Sequence, residues 1–292
     1  IMSGPVAGAQ GSGELARILG VKSFVTADVG GTSFDTALIL DGWPQVLYEG
    51  EVDGMPVQTP WVDVRSIGAG GGSLAHVDAG GLMRVGPQSA GAEPGPAAYG
   101  KGGTEPTLTD AAVFLGMLGR GVLASGITLD VAKSATALKT VGVQINRTEE
   151  ETARGILLIA AASMANAMRE VSVEQGLDPR EMVLLPFGGA GPLMATLLAE
   201  ELQMDKIIVP PLAGNFSAWG LLGADMVQSA ARTRVLDLTE ANIATANNLL
   251  GELFEEVQQR SGGVKRETVR SARLDLRYKG QEHWLTLDVP VT

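Results

Sequence analysis

Apolar residues fall into short runs over the first fifty positions, thin out into glycine-rich sequence, and return at helical spacing from Leu108. SFVTADV (23–29) and DTALIL (35–40) read as strands on either side of a GGTS turn. DGW (41–43) marks a second turn and QVLYEGEV (45–52) alternates, so 23–52 is expected to form a three-stranded meander. Residues 53–110 are rich in Gly, Pro and Ser, which predicts short strands and functional loops. TLTDAAVFLGML (107–118) predicts a helix capped by Thr109 or Asp110. The strongest helix spans 148–175, with Thr148 as its cap, acidic residues in its first turn, and Gly176 and Pro179 as its stop. EMVLLPF (181–187) reads as a buried strand. GGAGPLMATLLAEEL (188–202) reads as a glycine turn entering a helix with Pro192 in its first turn, and KIIVP (206–210) as a strand. Strand, helix and strand in that order predict a parallel pair with a crossover.

Beyond about 235 the pattern changes to an amphipathic helix (239–260) and two alternating strands (270–280 and 282–291). The expected organisation is therefore an α/β domain over 1–235 and the start of a smaller α+β subdomain over 236–292. The opening IMSGPVAGAQ reads as a loop, which suggests the middle of a longer polypeptide.

Composition narrows the chemistry. The 292 residues carry a net charge of −11 and 39 glycines, with 4% aromatics. An acidic chain lacks the basic face of a general nucleic-acid binder, yet it can hold an anion locally with backbone N–H groups and a metal. No cysteine is present, which excludes disulfides, thiolate nucleophiles and cysteine-based metal sites and is compatible with the cytoplasm. The apolar stretch GILLIAAASMANAM (155–168), bracketed by Arg154 and Arg169, is too short to span a bilayer and predicts a buried helix.

Two glycine patterns fail as nucleotide motifs. GSGELA (11–16) has no strand before it, and GPAAYGKG (95–102) lacks the hydroxyl that should follow Lys101. TADVGGTSFDTALILDG (26–42) carries more polar groups than a turn requires. Gly30 and Gly31 allow close backbone approach to an anion, Thr32 and Ser33 add hydroxyls, Asp28 can hold a hydrated divalent cation, and Asp35 can orient a hydroxyl or a metal-bound water. A tight hairpin with Asp28 in an Asx turn explains the same stretch. Two further loops favour the phosphate reading: Gly70, Gly71, Gly72 and Ser73, on the phosphate or substrate side, and Gly188, Gly189 and Gly191 at a helix N-terminus. His76 with Asp78 could form a metal pair or a hydrogen-bonded surface histidine. Ser217 reads as a helix cap.

SGPVAGA, DVGGTSFD, SIGAGGGS, VGPQSAGAEPGPAAYG, TLTDA, LLPFGGAGP and PPLAGNFSAWGLL occur in this order, and over 1–235 the chain resembles the hydantoinase A / 5-oxoprolinase family, which includes acetone and acetophenone carboxylase subunits. The resemblance implies a ribonuclease H-like fold of the actin, sugar kinase and heat-shock chaperone superfamily. DVGGTSFD would be the second phosphate loop, PFGGAGP the adenosine-side loop, and SGPVAGAQG the connection between two halves. It also implies ATP with Mg²⁺ or another divalent metal, a further N-terminal domain of the same chain, a hydantoinase B-type partner subunit and a small-molecule substrate, with no role for nucleic acid or membrane. A piece with half of the clamp is expected to lack ATPase activity by itself. The activity implied is ATP-dependent hydrolysis of a hydantoin or 5-oxoproline-type ring, with ketone carboxylation and a non-catalytic nucleotide-binding module as alternatives. Arg65 and Met194 stand where the family often has His, which puts in doubt any metal site built from those positions.

Overall fold

In the computed structural model of the chain, the described residues are 3–47, 50–52, 55–57, 61–118, 122–123, 126–262 and 268–291. They form two compact units, Ile1–Ala224 and Asp225–Thr292. The first begins with a helix, α1 (Ser3–Leu19), where the glycines and proline suggest a loop. Small residues serve contact here: Ala7, Gly8, Ala9, Gly11, Ser12 and Gly13 are all buried.

Strands β1 (Ser23–Val29) and β2 (Phe34–Leu40) follow as expected. The anticipated third strand is instead a set of short pieces: β3 (Trp43–Pro44), β4 (Val46–Leu47) and β5 (Gly50–Val52), with Tyr48 and Glu49 outside the described residues. Of these pieces only β3 joins β2; β4 and β5 pair with later strands β7 (Trp61–Val62) and β6 (Met55–Val57). Then come β8 (Val64–Ile67), β9 (Ser73–Val77) and β10 (Met83–Ser89). Three helices follow: α2 (Leu108–Phe114), α3 (Val131–Gln144) and α4 (Glu149–Glu174). The cap of α2 is Thr107, not Thr109 or Asp110, because Thr107 and Asp110 complete a reciprocal capping box. Thr148 and Glu151 do the same for α4. Strand β11 (Val183–Phe187) leads into α5 (Gly191–Leu202), and α6 (Phe216–Leu222) ends the unit. KIIVP contributes a parallel bridge, Leu184–Ile207, rather than a full strand.

The central sheet is mixed: β11 runs parallel to β1, and β2 is antiparallel to β1, β3 and β8. Alternation along the strands sorts the two faces. Val25, Ala27, Val29, Phe34 and Leu38 pack against α2, α4 and α5, whereas Phe24, Ala37, Ile39, Leu185 and Phe187 meet α1 and α6. The fold is thus mixed α/β, with the sheet covered on both sides. Asp28 shares the residue parity of Phe24 and so lies on the α1/α6 face.

Helix α4 alone among the described helices is long and apolar enough to cross a membrane. Most of the side chains facing the sheet, Ile156 to Val171, sit in the core, which identifies it as a core helix. The second unit contains α7 (Glu240–Arg260) and the antiparallel pair β12 (Ala272–Leu276) and β13 (Leu285–Val289), with Arg232 bridging Glu252 and Glu256.

Candidate functional site

The site is built where β1 ends. Asp28 lies directly opposite Asp35 on β2, so both carboxylates are on one face. Gly30–Ser33 closes the turn between them, held by one backbone bond from Gly30 N–H to Ser33 O (3.0 Å). Among the described residues, the N–H groups of Gly31, Thr32 and Ser33 make no hydrogen bond, and a Cβ on Gly31 would meet nothing within 4 Å. Three unspent donors on an open backbone are the kind of arrangement that suits an anion. Ser33 Oγ donates to Asp35 Oδ2 (3.1 Å), so Asp35 orients a hydroxyl of this loop.

The loop at 68–73 has a different task from the one its sequence suggests. Gly71 N–H donates to Gly30 O (2.9 Å) and Gly72 N–H to Gly31 O (2.7 Å). Gly70 N–H is taken by Ser73 Oγ (2.8 Å), and Ser73 N–H by Gly70 O (3.0 Å). With all four N–H groups committed and all four residues buried, Gly70, Gly71, Gly72 and Ser73 are not free to cradle a phosphate. They form a shelf beneath the Gly30–Ser33 turn. A Cβ on Gly70 would lie 2.8 Å from Gly31 C and Thr32 N, so glycine is required for that approach. The shelf is itself pinned: Gly71 O accepts from Thr109 N–H and Thr109 Oγ1 (both 2.8 Å).

On the other flank, Gly188 packs directly on the Asp28 carboxylate. Its φ is +83°, and its N–H donates to Ala213 O (2.9 Å). Ala190 N–H donates to Val29 O (2.9 Å), which fastens the β11–α5 turn to β1. Gly189 is exposed, and a Cβ there would meet nothing within 4 Å, whereas Gly191 is buried against Ala27 O. Ser217 is not the helix cap its sequence suggests. It lies inside α6, two residues after the Asn215 cap, and its Oγ donates to Asp28 Oδ2 (3.3 Å). Its one sequence signal is a hydroxyl in an otherwise apolar helical turn.

Burial, and secondarily the charge of Asp35, push the Asp28 carboxyl up to about 6, opposed by the Ser217 hydrogen bond. The native state therefore holds the Asp28 proton more tightly than the unfolded chain. Ionising it costs stability as pH rises from about 4 to 6, on the order of 2–3 kcal/mol once complete. Asp28→Asn should accordingly be more stable than the wild type at pH 7.5 and indistinguishable from it at pH 4. Urea unfolding at the two pH values measures this, and equal stability at pH 7.5 would remove the strained carboxylate pair.

The histidine candidates do not assemble. Asp78 takes Arg84 Nε (2.8 Å) and the N–H groups of Gly80 and Leu82, with its carboxyl held below the ordinary range chiefly by Arg84. No group of three or more potential metal ligands occurs among the described residues. Arg65 joins Asp63 and Glu174, and Met194 is fully buried in the core. Among the described residues, Asp28 and Asp35 are the carboxylates at this site that a divalent cation could take as ligands. That suits Mg²⁺, which keeps its waters and takes one or two carboxylates alongside phosphate oxygens. The open N–H groups likewise suit a phosphate chain.

A family model described as hydantoinase/oxoprolinase matches residues 1–230. Caprolactamase subunit alpha of Pseudomonas jessenii is 34% identical over 99% of this chain and 43% of its own length. The acetophenone carboxylase gamma subunit of Aromatoleum aromaticum is 35% identical over 99% of this chain and 41% of its own. The crystal structure of ATP-dependent caprolactamase from Pseudomonas jessenii superposes with a TM-score of 0.80 at 32% identity, covering 100% of this chain and 43% of that one. The chain spans about two-fifths of the length of these relatives.

Proposed function

The chain belongs to the hydantoinase/oxoprolinase family, and from that premise we propose that it carries the phosphate-binding half of an ATP-dependent cyclic amidase. The observation that carries this reading is the turn at 30–33, with three uncommitted N–H groups beside the Asp28–Asp35 pair. The mixed sheet, covered on both faces, is read as one ribonuclease H-like domain of a two-sided nucleotide clamp. The opposing side would come from sequence outside these residues, in keeping with the greater length of the relatives. A second subunit, of the hydantoinase B type, would complete the enzyme.

In this reading Gly31, Thr32 and Ser33 hold the terminal phosphates through their N–H groups, and Asp28 fixes a hydrated metal. Asp35 holds Ser33 in place. Gly188 backs Asp28, while Gly189 and Gly191 flank the nucleoside. Gly70, Gly71, Gly72 and Ser73 keep the phosphate turn rigid, so catalysis is mainly positioning and charge neutralisation. Bound ATP·Mg²⁺ would supply a phosphoryl group to the unreactive carbonyl oxygen; water adding at that carbon would then expel the ring nitrogen, and the acyl phosphate left behind would be hydrolysed by a second water to the open-chain acid and phosphate.

The 35% identity to an acetophenone carboxylase subunit supports a second reading, in which the activated oxygen belongs to a ketone and bicarbonate replaces water. Nucleotide turnover by the full-length enzyme separates them. Stimulation by hydantoin, 5-oxoproline or caprolactam without bicarbonate is the expected result. A strict bicarbonate requirement with ketones would favour the carboxylase, and no stimulation by any of these would leave a nucleotide-binding module.

A further inference from the structure

The strand register extends the polar row beyond the two aspartates. Asp28 on β1 is paired with Phe187 on β11 to one side and with Asp35 on β2 to the other, and Asp35 is in turn paired with Ser66 on β8. Directly opposed residues in an antiparallel pair share a face. Asp28, Asp35 and Ser66 therefore stand side by side across three adjacent strands. With strands about 4.8 Å apart, Ser66 lies roughly 5 Å from Asp35 and 10 Å from Asp28.

The row has a direction. At its β11 end, the Gly188–Gly191 turn packs on Asp28, and the phosphate turn follows between Asp28 and Asp35. If the nucleoside occupies the β11 flank, a group that receives the terminal phosphoryl must approach from the side remote from it. The next strand on that side is β8, and the residue it presents is Ser66. Two strand spacings leave room for a phosphoryl group and one small ring.

The hydroxyls on this side have complementary capacities. Ser33 spends its proton on Asp35 Oδ2, so its oxygen is left to accept from a ring N–H. Ser66 is exposed, and among the described residues its hydroxyl has no partner, so it remains able to donate. We propose that Ser66 is the specificity-determining contact for the acceptor, donating to a second oxygen on a ring amide, such as the second carbonyl of a hydantoin or the carboxylate of 5-oxoproline. This rests on the amidase reading given above and adds to it which ring amides are preferred.

Rings with and without that acceptor test it: hydantoin against 2-imidazolidinone, which lacks the second carbonyl oxygen, and 5-oxoproline against 2-pyrrolidinone, which lacks the carboxylate. Each is measured in the full-length enzyme by KM for stimulated ATP turnover and by calorimetric affinity with a non-hydrolysable ATP analogue present. The wild type should favour the oxygen-bearing ring by roughly tenfold, the loss expected for one hydrogen bond. Ser66→Ala should erase that preference while leaving affinity for the analogue unchanged, and Ser66→Thr should restore it. Because Ser66 is exposed, neither change disturbs the core. A Ser66→Ala enzyme that keeps the wild-type preference overturns the proposal, as does a wild type that prefers the stripped ring. Failure of the wild type to bind the analogue would instead overturn the amidase reading beneath it.

Discussion

Asp110→Ala should lose at least about 4 kcal/mol of stability, enough to unfold much of the first unit at 37 °C. Asp110 is fully buried, and its carboxylate accepts five hydrogen bonds: from the N–H groups of Ala97, Ala98 and Thr107 and the hydroxyls of Thr107 and Ser134. It thereby ties the 95–99 segment and α3 to the first turn of α2. Alanine leaves these donors buried with no acceptor, and each unmet donor costs desolvation energy that a cavity does not return. Asparagine should do only slightly better, since its amide nitrogen would face donors where an oxygen is needed. Ser134→Ala, which removes one donor and leaves the acceptor satisfied by the others, should cost about 1 kcal/mol. Urea unfolding of the three variants gives the ranking. A loss under about 1 kcal/mol for Asp110→Ala would mean that water takes over the acceptor role.

The contrast between Asp110 and Asp28 explains what could be read from the chain. TLTDA announces a helix start, with Thr107 as the cap and Asp110 completing its capping box; nothing local reveals that the same carboxylate also collects Ala97, Ala98 and Ser134 from other segments. DVGGTSFD is legible because both strands, the turn and the polar surplus are contiguous. The glycines at 70–72 are legible as unusual but not as to purpose. Glycine permits close approach to a ligand or to another backbone equally well, and only the tertiary pairing with Gly30 and Gly31 decides for the backbone. Helix α1 escapes a reading from sequence for a related reason. Its glycines lower helix propensity, yet Gly11 and Gly220 meet at van der Waals contact, and packing against α6 outweighs the cost.

That α1–α6 contact also bears on the site. It carries Ser217 to Asp28, as the β11–α5 turn carries Gly188 to the same carboxylate. Asp28 is thus held from two directions by segments about 160 and 190 residues away in sequence. A buried, partly protonated carboxylate beside a second one is unstable on its own, and the surrounding backbone confines it. This is the usual sign of a site in which stability is traded for a charge held ready.

Gly188→Ala should lower nucleotide affinity by at least about a hundredfold, through two separable costs. The first is conformational: at φ +83° an alanine costs roughly 1–2 kcal/mol. The second is steric, because the new methyl overlaps Asp28 Oδ1 and sits 2.6 Å from Val29 O. Val29 O is fixed by Ala190 N–H, so Asp28 must rotate away from the 30–33 turn. Gly189→Ala, one residue on, meets open space and should leave stability unchanged. A double-mutant cycle separates the terms. In an Asp28→Ala background the Oδ1 overlap is gone, so Gly188→Ala should retain only its conformational and Val29 costs and lose less stability there than in the wild-type background. Calorimetry with an ATP analogue supplies the functional readout and urea unfolding the cycle. If Gly188→Ala binds the analogue within threefold of the wild type, Asp28 has no part in holding the nucleotide. Strict additivity in the cycle would show that the methyl and the carboxylate never compete for the same space.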